Sequence, residues 1–156
     1  MIRVLFICLG NICRSPMAEA VFRSQVKAAG LTDEIEVDSA GIGAWHSGQH
    51  AHQGTLRVLK AHGIGYNGRA RQVRLTDIPR SDYVLAMDNE NLTSLQRMVP
   101  NKTNIQLFLQ AAFDKGLVSE QEIPDPYYTG KFDDAYTLIE TGATALLEKI
   151  RAERGI

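Results

Sequence analysis

Apolar residues run unbroken from Val4 to Leu9. Such a run, rich in β-branched and bulky side chains, predicts a strand over Ile2–Ile7 that is buried on both faces and therefore lies inside a sheet. After Pro16 the period lengthens to that of a helix. Met17, Val21, Ser24 and Ala28 keep one face toward the core until Gly30 stops the helix. Ile35–Ala40 alternates apolar with charged positions and predicts a second strand, and Thr55–His62 a helix ended by Gly63. Tyr83–Ala86 repeats the buried-strand pattern, Asn89–Met98 reads as a helix closed near Pro100, and Ile105–Leu107 as a fourth short strand. Phe132–Arg154 is a long last helix whose buried stripe is Ala135, Leu138, Ile139, Gly142, Ala145, Leu146 and Ile150.

Strands alternating with helices over short connections predict an α/β fold: a single domain over 1–156 with a four-stranded parallel sheet and helices on both faces. No internal repeat, low-complexity tract or linker divides the chain. Open parallel sheets bind ligands beyond the carboxyl ends of their strands, where the chain order reverses. The loop Cys8–Ser15 follows the first strand and falls at such an end.

Composition narrows the function classes. The chain is 44% apolar and 22% charged, as an ordinary globular domain is, and its net charge of -1 supplies no global field for nucleic acid or an anionic membrane. Any anion site is local. No apolar run approaches the ~20 residues of a membrane span, and the first residues carry no cleavable leader pattern, so a cytoplasmic location is expected. Both cysteines, Cys8 and Cys13, fall within the one loop, where a reducing compartment holds them as thiols for chemistry rather than structure.

That loop reads Cys8-Leu9-Gly10-Asn11-Ile12-Cys13-Arg14-Ser15-Pro16. Between the cysteine and the arginine, five backbone N–H groups can curl inward as an anion nest, with the helix dipole adding positive charge at the same point. Gly10 and Asn11 are residue types that accept left-handed backbone angles, which so tight a loop is expected to need. Arg14 supplies a planar fork for two phosphate oxygens. The amides, the dipole and Arg14 all favour negative charge on sulfur, which makes Cys8 a nucleophile. Ser15 can donate its hydroxyl proton to that sulfur when it departs from phosphorus. Further along, Pro126 holds Asp125 in an extended backbone, as suits an acid displayed on a loop or an ordinary turn residue. Asp88 ends a buried strand and fits either of two roles, orienting Arg14 or capping the next helix.

With these residues the chain resembles the low-molecular-weight protein tyrosine phosphatases, whose loop has the form C-x-x-x-x-x-R-S. The resemblance extends through Asp38-Ser39-Ala40-Gly41, Gly43-Ala44-Trp45-His46-Ser47-Gly48, His62-Gly63-Ile64, Ala70-Arg71-Gln72, Ala86-Met87-Asp88 and Asp125-Pro126-Tyr127-Tyr128. It implies hydrolysis of phosphotyrosine, and of small aryl phosphates, through a phosphocysteine. Cys8 would be the nucleophile, Arg14 the phosphate clamp and Asp125 the general acid, with no cofactor or metal. Leu9, Ile12, Trp45, Tyr127 and Tyr128 would wall the slot for the ring; Gly10, Asn11, Cys13 and Ser15 would shape the phosphate loop, and Ser39 would support it. The implied partners are phosphotyrosine-containing proteins and a cognate tyrosine kinase, with neither nucleic acid nor membrane. A Cys8–Cys13 disulfide protecting the nucleophile from overoxidation is also implied by resemblance; simple packing of Cys13 under the loop is the alternative.

Two departures stand out from the pattern so implied. Gly68 takes a position where relatives often carry His, and Gln49-His50-Ala51-His52 stands where many have an acidic, proline-containing helix start. His46, His50 and His52 lack a cysteine or carboxylate at ligand spacing, so a solvated polar loop is expected rather than zinc. Thioredoxin-coupled arsenate reductases share the loop but need further cysteines, and none follows Cys13. Arginine phosphatases carry Thr at the place of Ile12, and an apolar side chain there favours an aryl ring over a guanidinium.

Overall fold

The first strand sits at the centre of everything that follows. In the computed structural model, which describes residues 1–156, it is β1 (Ile2–Cys8), followed by α1 (Arg14–Ala28), β2 (Ile35–Gly41), α2 (Gln53–Ala61), α3 (Asp77–Arg80) and β3 (Tyr83–Ala86). Then come α4 (Asn89–Met98), β4 (Ile105–Leu107), α5 (Gln110–Asp114), α6 (Pro126–Thr129) and α7 (Phe132–Arg154). The four strands are all parallel, in the order β2-β1-β3-β4. Val4 lies opposite Val37 on one side and Tyr83 on the other, which is why the first strand is apolar from Val4 onward.

Alternation along β1 feeds two cores. Val4, Phe6 and Cys8 point into the larger one, shared with α1 and α7, while Leu5 and Ile7 point into a smaller one with Ile78 of α3 and Leu95 of α4. Phe6 anchors the first by edge-on contacts with Phe22 and Phe108, at centroid distances of 5.6 and 5.1 Å. Helices therefore cover both faces, as expected. The chain leaves β1 toward β2 and later returns to β3 on the opposite side. The carboxyl end of β1 is thus the point where the winding reverses, and the loop 9–13 opens there.

Several details correct the pattern reading. Ser24 and Ala28 are exposed, and α1 buries Met17, Ala18, Ala20, Val21, Phe22 and Val26 instead. The helix packs against both α7 and the sheet, so its apolar stripe is wider than one row and turns away from Ser24. Leu138 of α7 is only partly buried. Helices α3, α5 and α6 have four or five residues each, too short to leave a periodic signal. Gly30 does stop α1, with φ 72°.

Candidate active site

The loop between β1 and α1 is inverted relative to an ordinary connection. Its carbonyls face outward: Cys8 O accepts from Ile42 N at 2.9 Å, Leu9 O from Gly43 N at 2.9 Å, Ile12 O from His52 N at 2.8 Å and Cys13 O from the Thr55 hydroxyl at 3.0 Å. The backbone N–H groups of Leu9, Gly10, Asn11, Ile12 and Cys13 donate to no protein acceptor. Outward carbonyls leave the amides pointing inward, at the head of a 15-residue helix. That is the arrangement of an anion nest.

Asn11 holds the curl. It is buried with φ 58°, and both ends of its side-chain amide are engaged. Nδ2 donates to the Ser15 hydroxyl at 2.7 Å and to the Ser39 hydroxyl at 3.0 Å, while Oδ1 accepts from Arg71 N at 3.0 Å. Gly10, expected to share the left-handed region, does not. Its lack of a side chain serves the His46 ring, whose Cδ2 would lie 2.9 Å from a Cβ there. Gly41 on β2 is needed in the same way, because a Cβ would stand 3.0 Å from Asn11 N and from the Gly10 carbonyl carbon.

Cys8 Sγ and Ser15 Oγ are 3.0 Å apart, and both residues are buried. Because Asn11 Nδ2 already donates to Ser15 Oγ, the single hydroxyl proton of Ser15 is free to point at sulfur. Arg14, only 2% exposed, is fixed through one nitrogen: Nη1 donates to Asp88 Oδ2 at 2.7 Å and to the Ile123 carbonyl at 2.8 Å. Nη2 reaches Asp125 Oδ2 at 3.4 Å, and the buried Nε has no protein acceptor. One edge of the guanidinium is thus anchored and the other is left for a ligand's oxygens. Burial works against the charge, but the Cys8 sulfur and the hydrogen bond to Asp88 hold the guanidinium above the ordinary arginine range. Asp88 performs both roles left open by its position: Oδ2 takes Arg14, and Oδ1 caps α4 by accepting Asn91 N at 2.8 Å.

The predicted slot closes over this floor. Cys8, Leu9, Gly10, Ile12, Cys13, Trp45, Asp125, Tyr127 and Tyr128 line one cleft of about 230 Å³, to which the structure adds His46. Asn11, Arg14 and Ser15 are not in its lining; Ser15 bonds to Cys8 and Arg14 to Asp125, while Ser39 and Asp88 hold Asn11 and Arg14. Asp125 is placed by the turn that Pro126 starts, its Oδ1 accepting Tyr127 N at 3.1 Å as the cap of α6. Tyr127, at 51% exposure, packs between the rings of His46 and His52, with centroid distances of 6.2 and 6.1 Å. The Trp45 indole lies on Gly43, where any Cβ would collide with it. Cys13 is buried, and its thiol is pushed from 9.0 up to about 12, first by burial and then by the charges of Cys8 and Asp125. Both cysteines are free thiols.

Residues 3–155 match the profile of the family described as low molecular weight phosphotyrosine protein phosphatase. The chain belongs to this family. It is 48% identical over 157 residues to the low molecular weight protein-tyrosine-phosphatase YfkJ of Bacillus subtilis, covering 99% of each chain. The crystal structure of YfkJ superposes with a TM-score of 0.94 over 98% of this chain and 96% of that one, at 47% identity. A Drosophila arginine phosphatase is similar at a TM-score of 0.86 and 35% identity, over 95% and 97% of the two chains.

The departures from the phosphatase pattern find local explanations. Gly68 packs against the Tyr66 hydroxyl, which donates to Glu19 Oε1 at 2.9 Å, and Ser39 Oγ donates to the same oxygen at 2.5 Å. Glu19 Oε2 takes Arg23 at 2.5 Å, so a buried carboxylate ties Tyr66 through Ser39 to Asn11. Burial, and next the charge of Glu19, raise the Tyr66 hydroxyl well above the ordinary tyrosine range, so it remains a donor. His52 caps α2, accepting Gly54 N at 2.9 Å, and stacks on Phe132; no cluster of metal-ligating residues is present. Glu19, Tyr66 and the Ile123 carbonyl are absent from the sequence reading, and His46 and Arg71 appear there without the parts they play in bordering the cleft and holding Asn11. Glu19 had a signal, a lone acid inside the apolar run Met17–Phe22, which demands buried partners. The Ile123 carbonyl had none, being backbone.

Proposed function

We propose that this phosphatase hydrolyses phosphotyrosine on proteins, together with small aryl phosphates, through a phosphocysteine. The observation that carries the reading is the nest: in the one loop that joins Cys8 to Arg14, five backbone N–H groups and the buried Arg14 Nε are left without a protein acceptor. In the first step Cys8 Sγ bonds to phosphorus and the phosphorus–oxygen bond to the phenol breaks, with Asp125 delivering its proton to the leaving oxygen. In the second, water attacks phosphorus, its proton passes to Asp125, and the sulfur leaves with the Ser15 hydroxyl proton directed at it. The amides and Arg14 stabilise the equatorial oxygens in both transition states.

Phosphotyrosine is favoured over phosphoarginine because Ile12 presents an apolar wall within a cleft also bordered by Leu9, Trp45 and Tyr127. The partners are accordingly phosphotyrosine-containing proteins supplied by a tyrosine kinase. No helix is long and apolar enough to cross a membrane, and two free cysteines accord with a reducing cytoplasm. The test is rapid-quench capture of a phosphorylated Cys8 from a phosphotyrosine peptide, alongside relative kcat/KM for phosphotyrosine and phosphoarginine in the wild type and Ile12→Thr. Label on Cys8 and a ratio that falls in the variant are expected. Turnover without a cysteine-bound phosphate would overturn the mechanism, and an unchanged ratio would remove Ile12 from specificity.

A further inference from the structure

A second cleft, of about 430 Å³, adjoins the first and shares Leu9, Asp125 and Tyr128 with it. Its chemistry is the opposite of the aromatic slot. Four carboxylates, those of Asp88, Glu90, Glu122 and Asp125, face a single guanidinium, that of Arg14. Asp88 and Asp125 are committed to Arg14, but Glu90 and Glu122 enter no ion pair, and Glu122 uses only Oε1, which accepts Asn89 N at 2.8 Å. Asn91 lines the same cleft, is 97% removed from solvent by its 3% exposure, and has an Oδ1 with no partner. A buried acceptor without a donor is costly unless a ligand supplies one. Every uncommitted polar oxygen here is thus an acceptor, and the surrounding field is negative.

We infer that this second cleft receives the side chain of a basic residue, lysine or arginine, close in sequence to the phosphotyrosine of the substrate. The inference rests on the phosphotyrosine reading above, which puts the substrate ring in the adjoining slot. A peptide leaving that slot over Leu9 and Tyr128 enters the acidic cleft directly. The ammonium or guanidinium donates to Glu90, Glu122 and Asn91 Oδ1, and its aliphatic stem lies along Leu9 and Tyr128. Arg14 stays with Asp88 at 2.7 Å, so the basic side chain leaves the phosphate clamp in place.

The experiment is a peptide scan. A phosphotyrosine peptide with an otherwise neutral sequence carries one Lys, Ala or Glu at each of the two positions before and after phosphotyrosine, and kcat/KM is measured for the wild type, the Glu90→Gln/Glu122→Gln double variant and Glu90→Lys. At one position at least, Lys is expected to exceed Ala by about fivefold, the scale of a partly exposed charge pair, mainly through KM. The double variant should bring that ratio near one, Glu90→Lys should favour the Glu peptide, and all three enzymes should turn over p-nitrophenyl phosphate equally because it fills only the first slot. Ratios within twofold at every position in the wild type, or a Lys preference that survives the double variant, would overturn the inference. Failure to hydrolyse any phosphotyrosine peptide would instead strike the reading beneath it.

Discussion

The floor of the cleft and its rim are built on opposite principles. On the floor, Cys8, Asn11, Arg14 and Ser15 are all buried; Ser15 bonds to both Cys8 and Asn11, Asn11 also to Ser39 of β2, and Arg14 to the α4 cap Asp88 and to the Ile123 carbonyl in the loop before α6. At the rim, Trp45 and Tyr128 are 69% and 74% exposed; the Trp45 indole lies on Gly43 and the Tyr128 ring meets that of Tyr127 edge-on. Transition-state stabilisation requires donors already in place, because reorganising them during reaction would cancel the gain. Choosing among protein substrates requires only surface that fits, and tolerates motion. Damage to the floor should therefore appear in kcat, and damage to the rim in KM.

The sharpest way to test that division is Cys8→Ser. The nest and Arg14 remain, so phosphate or vanadate should still bind, while turnover of p-nitrophenyl phosphate should fall by about 10³-fold or more, as loss of a nucleophile does. Wild-type-like turnover would end the mechanism. Arg14→Lys comes next. A point charge cannot keep Asp88 and the Ile123 carbonyl on one edge while offering two donors on the other, and kcat/KM should drop by about 10²–10³-fold, the scale of a lost transition-state donor. A loss below tenfold would count against the clamp.

Asp125→Asn preserves the cap on α6, since the amide oxygen can still accept Tyr127 N, but supplies no carboxyl proton. A leaving-group series should show a decrease of about 10²-fold for phenyl phosphate and far less for activated esters. Uniform loss across the series would make Asp125 structural. At the rim, Trp45→Ala should raise KM for phosphotyrosine peptides by a few-fold, about 1 kcal/mol of ring packing, with kcat for p-nitrophenyl phosphate unchanged. A fall in kcat of the same size would show that the rim acts on the floor.

The same division explains what the sequence could reveal. The loop was legible because its parts are consecutive: a buried strand, a turn with Asn11, an arginine and a helix start all fall within nine residues, and each has a local signature. The four strands were legible from their apolar runs. What holds the floor was not, because those partners come from distant segments and meet only in the fold: Asp88 and Arg14 are 74 positions apart, Ile123 and Arg14 are 109. Gly10 misled for a related reason. Glycine in a tight turn usually signals a left-handed angle, but here it makes room for His46, a contact that no local pattern encodes. The short helices leave no period to read, and Ser24 falls on a single helical stripe in the sequence but outside the wider buried face of a helix that packs on two sides.

Cys13 belongs to the floor by position yet takes no part in its bonding through sulfur, and its titration offers the smallest and most specific test. The folded protein holds this thiol's pKa at about 12, against 9.0 for a free one, chiefly through burial. Between those values the unfolded chain has lost the proton and the folded chain keeps it. The unfolded state then binds fewer protons, so stability must fall as pH rises through that window, and below about pH 9 the contribution is absent. Cys13→Ala removes the group. Its Tm should lie below that of the wild type near neutral pH because a buried atom is lost, and the gap should narrow from pH 9 upward as the wild type alone pays the alkaline penalty. Other groups titrate in the same range in both proteins, so the difference curve isolates Cys13. A constant gap in Tm across pH 7–11 would mean that the thiol ionises as easily in the fold as outside it, and that burial does not hold its proton.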